Sequence, residues 1–398
     1  MFETIHPAPP DAILGLTEAF KNDENSDKIN LGVGVFKDDT GITPVLNTVK
    51  AAEEKILASE NTKSYLPMPG EPVFGTRVQE LLFGEGHGAI GARRAKTAHT
   101  PGGTGALRVG ADFLKKFRPE ARIWVSTPTW ANHKGIFGAA GMATEDYPYY
   151  NPETMGLDFE GMIAALAEIP AEDIVLLHAC CHNPTGVDLS PDQWKEVARV
   201  AGEKGWLPFV DFAYQGFGTS LEADREGIVE LIDAVPELLV ASSFSKNIGL
   251  YRERTGAFTL LAENGDAANA AFSHVKLAIR TNYSNPPAHG GLIARTILED
   301  AGLREQWVKE LDGMRDHIAG VRASLVDGLK TAGVDRDFSF IAQQRGMFSF
   351  SGLSDVQVDF LREKKSIYIV KGGRINVAGV TSRNIEYLCA SIKESLSL

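Results

Sequence analysis

Short apolar runs alternate with helical patterns along the middle of the chain, between about residues 95 and 262. The helical patterns include residues 105–117 and 191–205, and Ser190 followed by Pro191 is typical of a helix start. The β-rich runs are residues 121–128, 173–181, 206–214, 238–244 and 255–262. Apolar strands alternating with helices predict a mostly parallel sheet covered on both faces, so the fold class is α/β. Ligands of such folds bind outside the carboxyl ends of the strands.

The pattern changes after the stretch SNPPAHGG at residues 284–291. A helical pattern runs from about residue 292 to residue 333, which is long for a globular helix. Short strand-like runs and a final amphipathic helix follow, and they predict a smaller α+β domain. We expect residues 1–45 to form an N-terminal arm and the first part of this small domain. The predicted large domain is then 46–310, and the rest of the small domain is 311–398.

Bulk properties narrow the setting of the protein. The chain has 398 residues and a net charge of −12, which argues against nucleic acid or an anionic membrane as a partner. Three cysteines are too few for a disulfide framework and indicate a reducing compartment. The N-terminal residues lack the basic and apolar regions of a signal peptide, and no apolar run reaches the roughly 20 residues of a membrane span. These features predict a cytoplasmic protein.

Polar side chains stand at the ends of three predicted strands. Asn183 follows the run at 173–181, Asp211 and Tyr214 end the run at 206–214, and Lys246 follows the run at 238–244. Taken singly, such an acid is commonly a helix cap and such a lysine is usually solvated. Together in one dry crevice they suit a different chemistry, because burial lowers the pKa of a lysine and makes it a nucleophilic amine.

Pyridoxal phosphate is the cofactor that needs such an amine, together with an acid at its ring nitrogen and donors near its phenolic oxygen. Asp211 is the candidate acid, and Asn183 and Tyr214 are the candidate donors. Hydroxyls and a guanidinium near the lysine suit the phosphate group, and they come from Ser243, Ser245 and Arg254. These residue types therefore predict a pyridoxal-phosphate site.

A second candidate for phosphate binding is the stretch TPGGTGAL, which includes Gly103 and Thr104. Backbone N–H groups in a glycine-rich turn that opens a helix can converge on an anion. The stretch is no dinucleotide fingerprint, because Arg108 stands where the third glycine belongs and no strong β run directly precedes it. A nucleotide-dependent dehydrogenase is therefore disfavoured. Taken alone, the stretch could equally be a simple turn.

Five stretches of the chain, NYSNPPAHG, CCHNPTG, DFAYQGF, SSFSKNIGLYRERTG and RINVAG, resemble the class I, fold-type I pyridoxal-phosphate aminotransferases. The similarity runs essentially end to end and is greatest to the bacterial members that act on aspartate. It implies a homodimer with two active sites at the subunit interface. It also implies that Lys246 holds the cofactor covalently, that Trp130 stacks on the cofactor ring, and that His133 supports Asp211. Tyr65 would reach the phosphate of the neighbouring subunit.

The resemblance also implies how an amino-acid substrate is bound. Arg374 would bind the substrate α-carboxylate, Arg280 of the neighbouring subunit would bind a distal carboxylate, and Gly34 would let the backbone approach the substrate. From the residues alone, a surface salt bridge for Arg374 and a simple turn for Gly34 are comparably good interpretations. The implied reaction moves the amino group of L-aspartate to 2-oxoglutarate, giving oxaloacetate and L-glutamate.

Two further features bear on these predictions. Many relatives have a serine where this chain has Gly102, which removes one hydroxyl but leaves the backbone donors. His178 and His182 flank the cysteine pair and are better interpreted as structural histidines than as metal ligands.

Two alternative functions remain. One is an aromatic-amino-acid aminotransferase of the same class. The other is a non-catalytic pyridoxal-phosphate-binding regulator, which would need a basic DNA-binding domain ahead of a match that begins almost at the first residue.

Overall fold

The computed structural model describes residues 2–7 and 14–398, and of Leu14 only the backbone. It divides into two compact units. The large unit comprises residues 44–183 and 187–316. The small unit comprises the described part of residues 1–43, together with 184–186 and 317–398. The sequence predicts boundaries at 45/46 and 310/311, and it gives no sign of the short segment 184–186.

The helices of the described chain begin and end as follows: α1 Leu14–Asn22, α2 Asn47–Ser59, α3 Pro72–Phe83, α4 Gly88–Gly91, α5 Gly102–Phe117, α6 Asn132–Ala139, α7 Phe159–Leu166, α8 Pro191–Lys204, α9 Glu226–Ala234, α10 Gly265–Asn282, α11 Ala288–Glu299, α12 Ala301–Thr331, α13 Phe340–Gln343, α14 Asp355–Lys365 and α15 Ile385–Ser395. The strands are β1 Ile29–Asn30, β2 Ala95–Pro101, β3 Arg122–Thr127, β4 Ala143–Pro148, β5 Tyr150–Asn151, β6 Gly156–Leu157, β7 Ile174–His178, β8 Leu207–Phe212, β9 Leu238–Ser243, β10 Thr255–Leu261, β11 Phe348–Phe350, β12 Ile367–Tyr368 and β13 Arg374–Asn376.

A seven-stranded sheet forms the centre of the large unit, in the order β2-β10-β9-β8-β7-β3-β4. The pairs from β9 to β4 are parallel, whereas β10 is antiparallel to both of its neighbours. The mostly parallel sheet predicted from the sequence is therefore confirmed, and all five predicted strands lie in it. A parallel arrangement brings the carboxyl ends of β3, β7, β8 and β9 to one edge of the sheet.

Two strands of this sheet were not predicted. The edge strand β4 has mostly exposed side chains, and β2 carries a lysine, a histidine and two threonines, so neither has the apolar signature of a buried strand. The prediction that no β run precedes the glycine-rich stretch is wrong, because β2 ends at Pro101 and α5 begins at Gly102. Antiparallel pairing with β10 along seven residues stabilises β2 in spite of its polar side chains.

The position of α5 depends on a glycine in the middle of the helix. A Cβ on Gly110 would lie 2.6 Å from Cζ of Phe209 and 2.8 Å from Cε2 of Phe258, so only glycine lets the helix backbone lie this close to β8 and β10. Ala106 and Val109 are fully buried on the same side. Because α5 follows β2 directly, its N-terminus lies at the carboxyl edge of the sheet, where ligands of such folds bind.

Cap chemistry explains where several helices begin. Ser190 and Gln193 form a capping box at the start of α8, as the Ser190–Pro191 pair predicts. The helix expected from about residue 292 to 333 is interrupted at Asp300, which has an extended backbone and separates α11 from α12. The Asp300 carboxylate accepts the backbone N–H of Leu303 at 3.0 Å and so caps α12.

The small unit is an α+β structure with short strands. β1 pairs in parallel with β12, so residues 29–30 are part of this unit. β11 pairs with β13 in antiparallel register, with Phe348 opposite Asn376 and Phe350 opposite Arg374. Over residues 2–7 and 14–398, no helix combines the length and apolar content that a membrane crossing requires.

Candidate active site

Four neighbouring parallel strands place the predicted site residues of the large unit at one edge of the sheet. Trp130 follows β3, Asn183 follows β7, Asp211 is the next-to-last residue of β8, and Lys246 follows β9. The register supports this arrangement, since Asp211 lies opposite His178 of β7 and Ala241 of β9. The strand-end residues predicted from the sequence therefore share one edge of the sheet.

Lys246 and Tyr214 lie against each other. The Lys246 Nζ atom is 4.7 Å from the centre of the Tyr214 ring, and Tyr214 is buried. Burial lowers the pKa of Lys246, the attraction of Asp211 opposes that change, and the nearby Arg254 guanidinium adds to it. The net direction is downward. A partly accessible amine with a lowered pKa can act both as a nucleophile and as a proton acceptor near neutral pH.

Asp211 is the end of a chain of hydrogen bonds. His133 is fully buried, and its Nε2 lies 2.9 Å from Oδ2 of Asp211. The other His133 ring nitrogen lies 2.8 Å from the Thr129 hydroxyl, which lies 3.2 Å from Nε2 of His178. The backbone N–H of Asn183 donates to Nδ1 of His178 at 3.4 Å. These contacts connect Thr129, His133, His178 and Asn183 to the carboxylate of Asp211.

The bond from the Asn183 N–H to His178 determines which group donates and which accepts in each of the other hydrogen bonds. Burial lowers the pKa of His178 to about 3, so its ring is neutral. Since Nδ1 accepts from Asn183, Nε2 carries the proton and donates to Thr129, whose hydroxyl then donates to Nδ1 of His133. His133 is left to donate from Nε2 to Asp211. Burial alone would raise the pKa of Asp211, but the bond from His133 and the charge of Lys246 outweigh burial and lower it. Asp211 is therefore an ionised acceptor.

Trp130 and His182 complete the surroundings of this chain. The Trp130 ring meets the His133 ring edge to face, with centroids 5.2 Å apart, and it is partly buried against the core of the large unit. His182 Nε2 is 2.9 Å from the Ser126 hydroxyl, and its ring stacks on Tyr149 at 4.0 Å. Within the described ranges there is no cluster of His, Cys, Asp and Glu side chains that could hold a metal ion.

An anion cradle lies at the N-terminus of α5. The Gly102 backbone has φ of +72°, and a Cβ there would lie 2.7 Å from Nη2 of Arg254. A Cβ on the next residue, Gly103, would lie 3.3 Å from Cβ of Ser243, whose hydroxyl is 3.1 Å from that of Ser245. Helix N–H groups, two hydroxyls and a guanidinium therefore converge at one place.

This donor set suits a phosphate group. The first N–H groups of a helix have no partner within the helix, and the helix dipole adds a partial positive charge there. Gly103 and Thr104 lie in this first turn of α5. The cradle therefore contains the phosphate ligands that the sequence predicts from the same subunit: Gly103, Thr104, Ser243, Ser245 and Arg254. The residues present fit a phosphorylated aldehyde cofactor, with the amine of Lys246 at the same edge of the sheet.

Two predicted site residues of the large unit project from its surface. Tyr65 is 91 % exposed. Arg280 lies in the last turn of α10, and its exposed guanidinium donates to the Ser284 hydroxyl at 2.5 Å. Ser284 has φ of +67°, so the turn after α10 brings its side chain back towards Arg280.

The remaining two predicted site residues belong to the small unit. Arg374 lies in β13 and is 5 % exposed; its Nη2 donates to the Gly32 carbonyl at 2.6 Å. Its guanidinium carbon lies 4.5 Å from the centre of the Phe348 ring. Gly34 lies beside the same ring, since a Cβ there would be 2.5 Å from Cζ of Phe348. Arg374 is therefore not the surface residue that one interpretation of the sequence allows.

Two contributors to the site were not predicted. Thr129 connects His133 with His178, and its signal in the sequence is only its position four residues before His133. Asp224 is the other: its carboxylate accepts the backbone N–H groups of Gly216, Gly218 and Thr219 at 2.7–2.9 Å and so fixes the loop that follows Tyr214. Burial raises the pKa of Asp224, and these three N–H donors oppose the increase.

A sheet edge that presents a lysine, a carboxylate and a phosphate cradle is typical of the pyridoxal-phosphate enzymes. Comparison with known proteins supports this class. Residues 26–392 match the family of class I and II aminotransferases. The chain belongs to this family.

Individual relatives are similar over almost their whole length. An aspartate aminotransferase of Salmonella typhi is 54 % identical over 392 residues, covering 98 % of this chain and 99 % of the relative. An aspartate aminotransferase of Escherichia coli K12 is 53 % identical with the same coverage. Among solved structures, an aromatic-amino-acid aminotransferase of Burkholderia pseudomallei, covalently bound to pyridoxal phosphate, is 47 % identical. It matches with a TM-score of 0.97 and covers 100 % of this chain and 99 % of that one.

Proposed function

We propose that this protein is a pyridoxal-phosphate-dependent aminotransferase that moves the amino group of L-aspartate to 2-oxoglutarate. The observation that carries the proposal is the arrangement of Lys246, ionised Asp211 and the α5 cradle at one sheet edge. The substrate follows from the relatives that are at least half identical to this chain, which are aspartate aminotransferases.

Each part of the cofactor has a candidate partner in the large unit. Lys246 attaches it covalently, Asp211 holds its ring nitrogen protonated, Asn183 and Tyr214 donate to its phenolic oxygen, and Trp130 stacks on its ring. The cradle at the start of α5 binds its phosphate. When bound, the cofactor accepts the electron pair of the bond broken at the substrate α-carbon. Lys246 removes and returns the α-proton, which suits an amine with a lowered pKa.

Substrate carboxylates pair with two arginines in this proposal. Arg374 binds the α-carboxylate through two parallel N–H bonds, while the backbone at Gly34 approaches the substrate. Arg280 binds the distal carboxylate and thereby favours dicarboxylic amino acids and 2-oxo acids. No bound nucleic acid or membrane is part of this function, and we place the protein in the cytoplasm.

We further propose a homodimer with shared active sites. Tyr65 and Arg280 are exposed in the single chain. This supports the dimer, because their proposed roles require both side chains to reach the active site of a neighbouring subunit. Tyr65 then binds the cofactor phosphate of the partner subunit, and Arg280 binds the distal carboxylate there.

A second candidate is an aromatic-amino-acid aminotransferase of the same class. The similarity to the Burkholderia structure favours it, as does 44 % identity to an aromatic-amino-acid aminotransferase of Pseudomonas aeruginosa. Steady-state assays with 2-oxoglutarate on aspartate, phenylalanine and tyrosine separate the two. A kcat/KM for aspartate above that for both aromatic acids supports the first proposal, and the reverse order supports the second.

The cofactor assignment has its own test. Borohydride reduction of the purified protein, followed by peptide mapping, is expected to label Lys246. Lys246→Ala should still bind some cofactor through the phosphate cradle but should not turn over. A label on another lysine would contradict the site, and a non-catalytic regulator would bind the cofactor without transferring amino groups.

A further inference from the structure

The guanidinium of Arg374 lies on an aromatic ring. Phe348, in the neighbouring strand β11, is 3 % exposed, and its ring centre is 4.5 Å from the guanidinium carbon. An arginine over an aromatic face is attracted by the negative face of the ring, most strongly when both groups are buried. Arg374 also donates to the Gly32 carbonyl at 2.6 Å. The ring and the carbonyl together restrict the plane of the guanidinium.

Gly34 lies against the far end of the same ring. A Cβ at this position would lie 2.5, 3.3 and 3.5 Å from Cζ, Cε1 and Cε2 of Phe348. The φ angle of Gly34 is not positive, so the backbone conformation does not require glycine here. The requirement comes from space, since the ring occupies the volume of any side chain at residue 34.

The Phe348 ring has little freedom to withdraw. The buried guanidinium of Arg322, on α12, donates to the carbonyls of Phe348, Gly346 and Ile341 at 2.5, 2.7 and 2.9 Å. On the other side, the N–H of Val377 donates to the carbonyl of the preceding residue, Met347, at 2.8 Å. The backbone of β11 is therefore fixed next to β13.

We propose that Phe348 is a positioning residue: its ring holds the Arg374 guanidinium in the plane that accepts a substrate carboxylate, and residue 34 is glycine because this ring fills the space beside it. The inference rests on the proposed role of Arg374 in binding the α-carboxylate. A bidentate pair needs a fixed guanidinium plane, so loss of the ring should weaken carboxylate binding while the charge remains.

The test measures binding of an unreactive dicarboxylate, succinate, to the cofactor-loaded enzyme by isothermal titration calorimetry. Phe348→Leu keeps an apolar side chain but removes the aromatic face. We expect the succinate Kd and the KM for aspartate to rise about 10- to 30-fold, as for the loss of a buried cation–π contact, while kcat changes much less. A role in folding alone would lower the unfolding midpoint and cofactor content without this difference between KM and kcat.

Phe338→Leu is the matched control. Phe338 is also 3 % exposed in the small unit and also lies under an arginine, with the Arg336 guanidinium carbon 5.3 Å from its ring centre. This variant should lose stability as Phe348→Leu does but should bind succinate as the unchanged enzyme does. Equal weakening of succinate binding by both variants would overturn the proposal.

A double-variant cycle tests the role of Gly34. Gly34→Ala should weaken succinate binding about 10-fold or more in the presence of Phe348, but only slightly in the Phe348→Leu background, because leucine ends before the Cζ position. Additive losses would overturn the spatial explanation of Gly34. Arg374→Ala separates the two levels of inference. If it leaves the succinate Kd unchanged, the proposed role of Arg374 fails; if it weakens binding and Phe348→Leu does not, only the positioning role fails.

Discussion

His99 gives a quantitative test of how the large unit depends on pH. Its side chain is 1 % exposed, and within the described residues its Nε2 has no hydrogen-bond partner. The ring lies 4.7 Å from that of Phe74, and a Cβ on Gly291 would lie 2.5 Å from its Cε1. This burial lowers the pKa of His99 from 6.5 to about 4.

The sign of the effect follows from the two states. In the unfolded chain His99 takes up a proton near pH 6.5, whereas in the folded chain it does so only near pH 4. Between these values the proton binds the unfolded state, so stability falls as the pH falls from 6.5 to about 4 and then levels off. Each pKa unit corresponds to about 1.4 kcal/mol, so His99 should remove about 3 kcal/mol over this interval.

The perturbation is His99→Leu, and the assay is urea unfolding at one protein concentration from about pH 7 to about pH 4. The variant should lose about 3 kcal/mol less of its free energy of unfolding over that range than the unchanged protein. Only this difference in pH dependence matters, so any cavity left by leucine does not affect the result. Identical slopes for His99→Leu and the unchanged protein would refute the reasoning.

Two further predictions concern the proposed chemistry. Asp211→Asn should slow α-proton removal by orders of magnitude, because a neutral amide cannot hold the cofactor ring nitrogen protonated as a carboxylate does. Near-normal single-turnover rates would exclude Asp211 from the mechanism. Arg280→Ala should lower kcat/KM for aspartate about 30- to 4000-fold, as when one partner of a buried pair costs about 2–5 kcal/mol, but should lower that for phenylalanine far less. Mixed Arg280→Ala and Lys246→Ala subunits should regain some aspartate activity, and no recovery despite proven subunit exchange would contradict shared sites.

The parts of the fold that the sequence predicts are those in which local pattern and tertiary environment agree. Strands β7, β8, β9 and β10 are buried on both faces and therefore read as nearly continuous apolar runs, whereas β3 is fully buried on one face only. β2 and β4 lie at the two edges of the sheet, where polar side chains are tolerated, so their sequences have no such run. The break at Asp300 depends on a single side chain capping α12, which a helical period does not show.

The site was predictable to the same extent and for a related reason. Asn183, Asp211 and Lys246 each follow or end a buried strand, so the topology of a parallel sheet brings them together without further information. The space that makes Gly34 necessary is taken by Phe348, which is 314 residues away in the chain, and no local pattern connects the two. From its strand period, Phe348 is simply a core residue.

The hydrogen bonds of the histidines around Asp211 determine which state this carboxylate presents. His178 accepts at Nδ1 and His133 donates at Nε2, so both rings are held by neighbours in the hydrogen-bond network. Burial lowers the pKa of His178 to about 3, which keeps the order of donors and acceptors the same across neutral pH. This series of hydrogen bonds therefore keeps the Asp211 carboxylate charged, and this is the only state of Asp211 that a cofactor ring nitrogen would meet. In the proposed function, an acid held in this way would keep that nitrogen protonated, which is the condition that the proposed proton transfer by Lys246 requires.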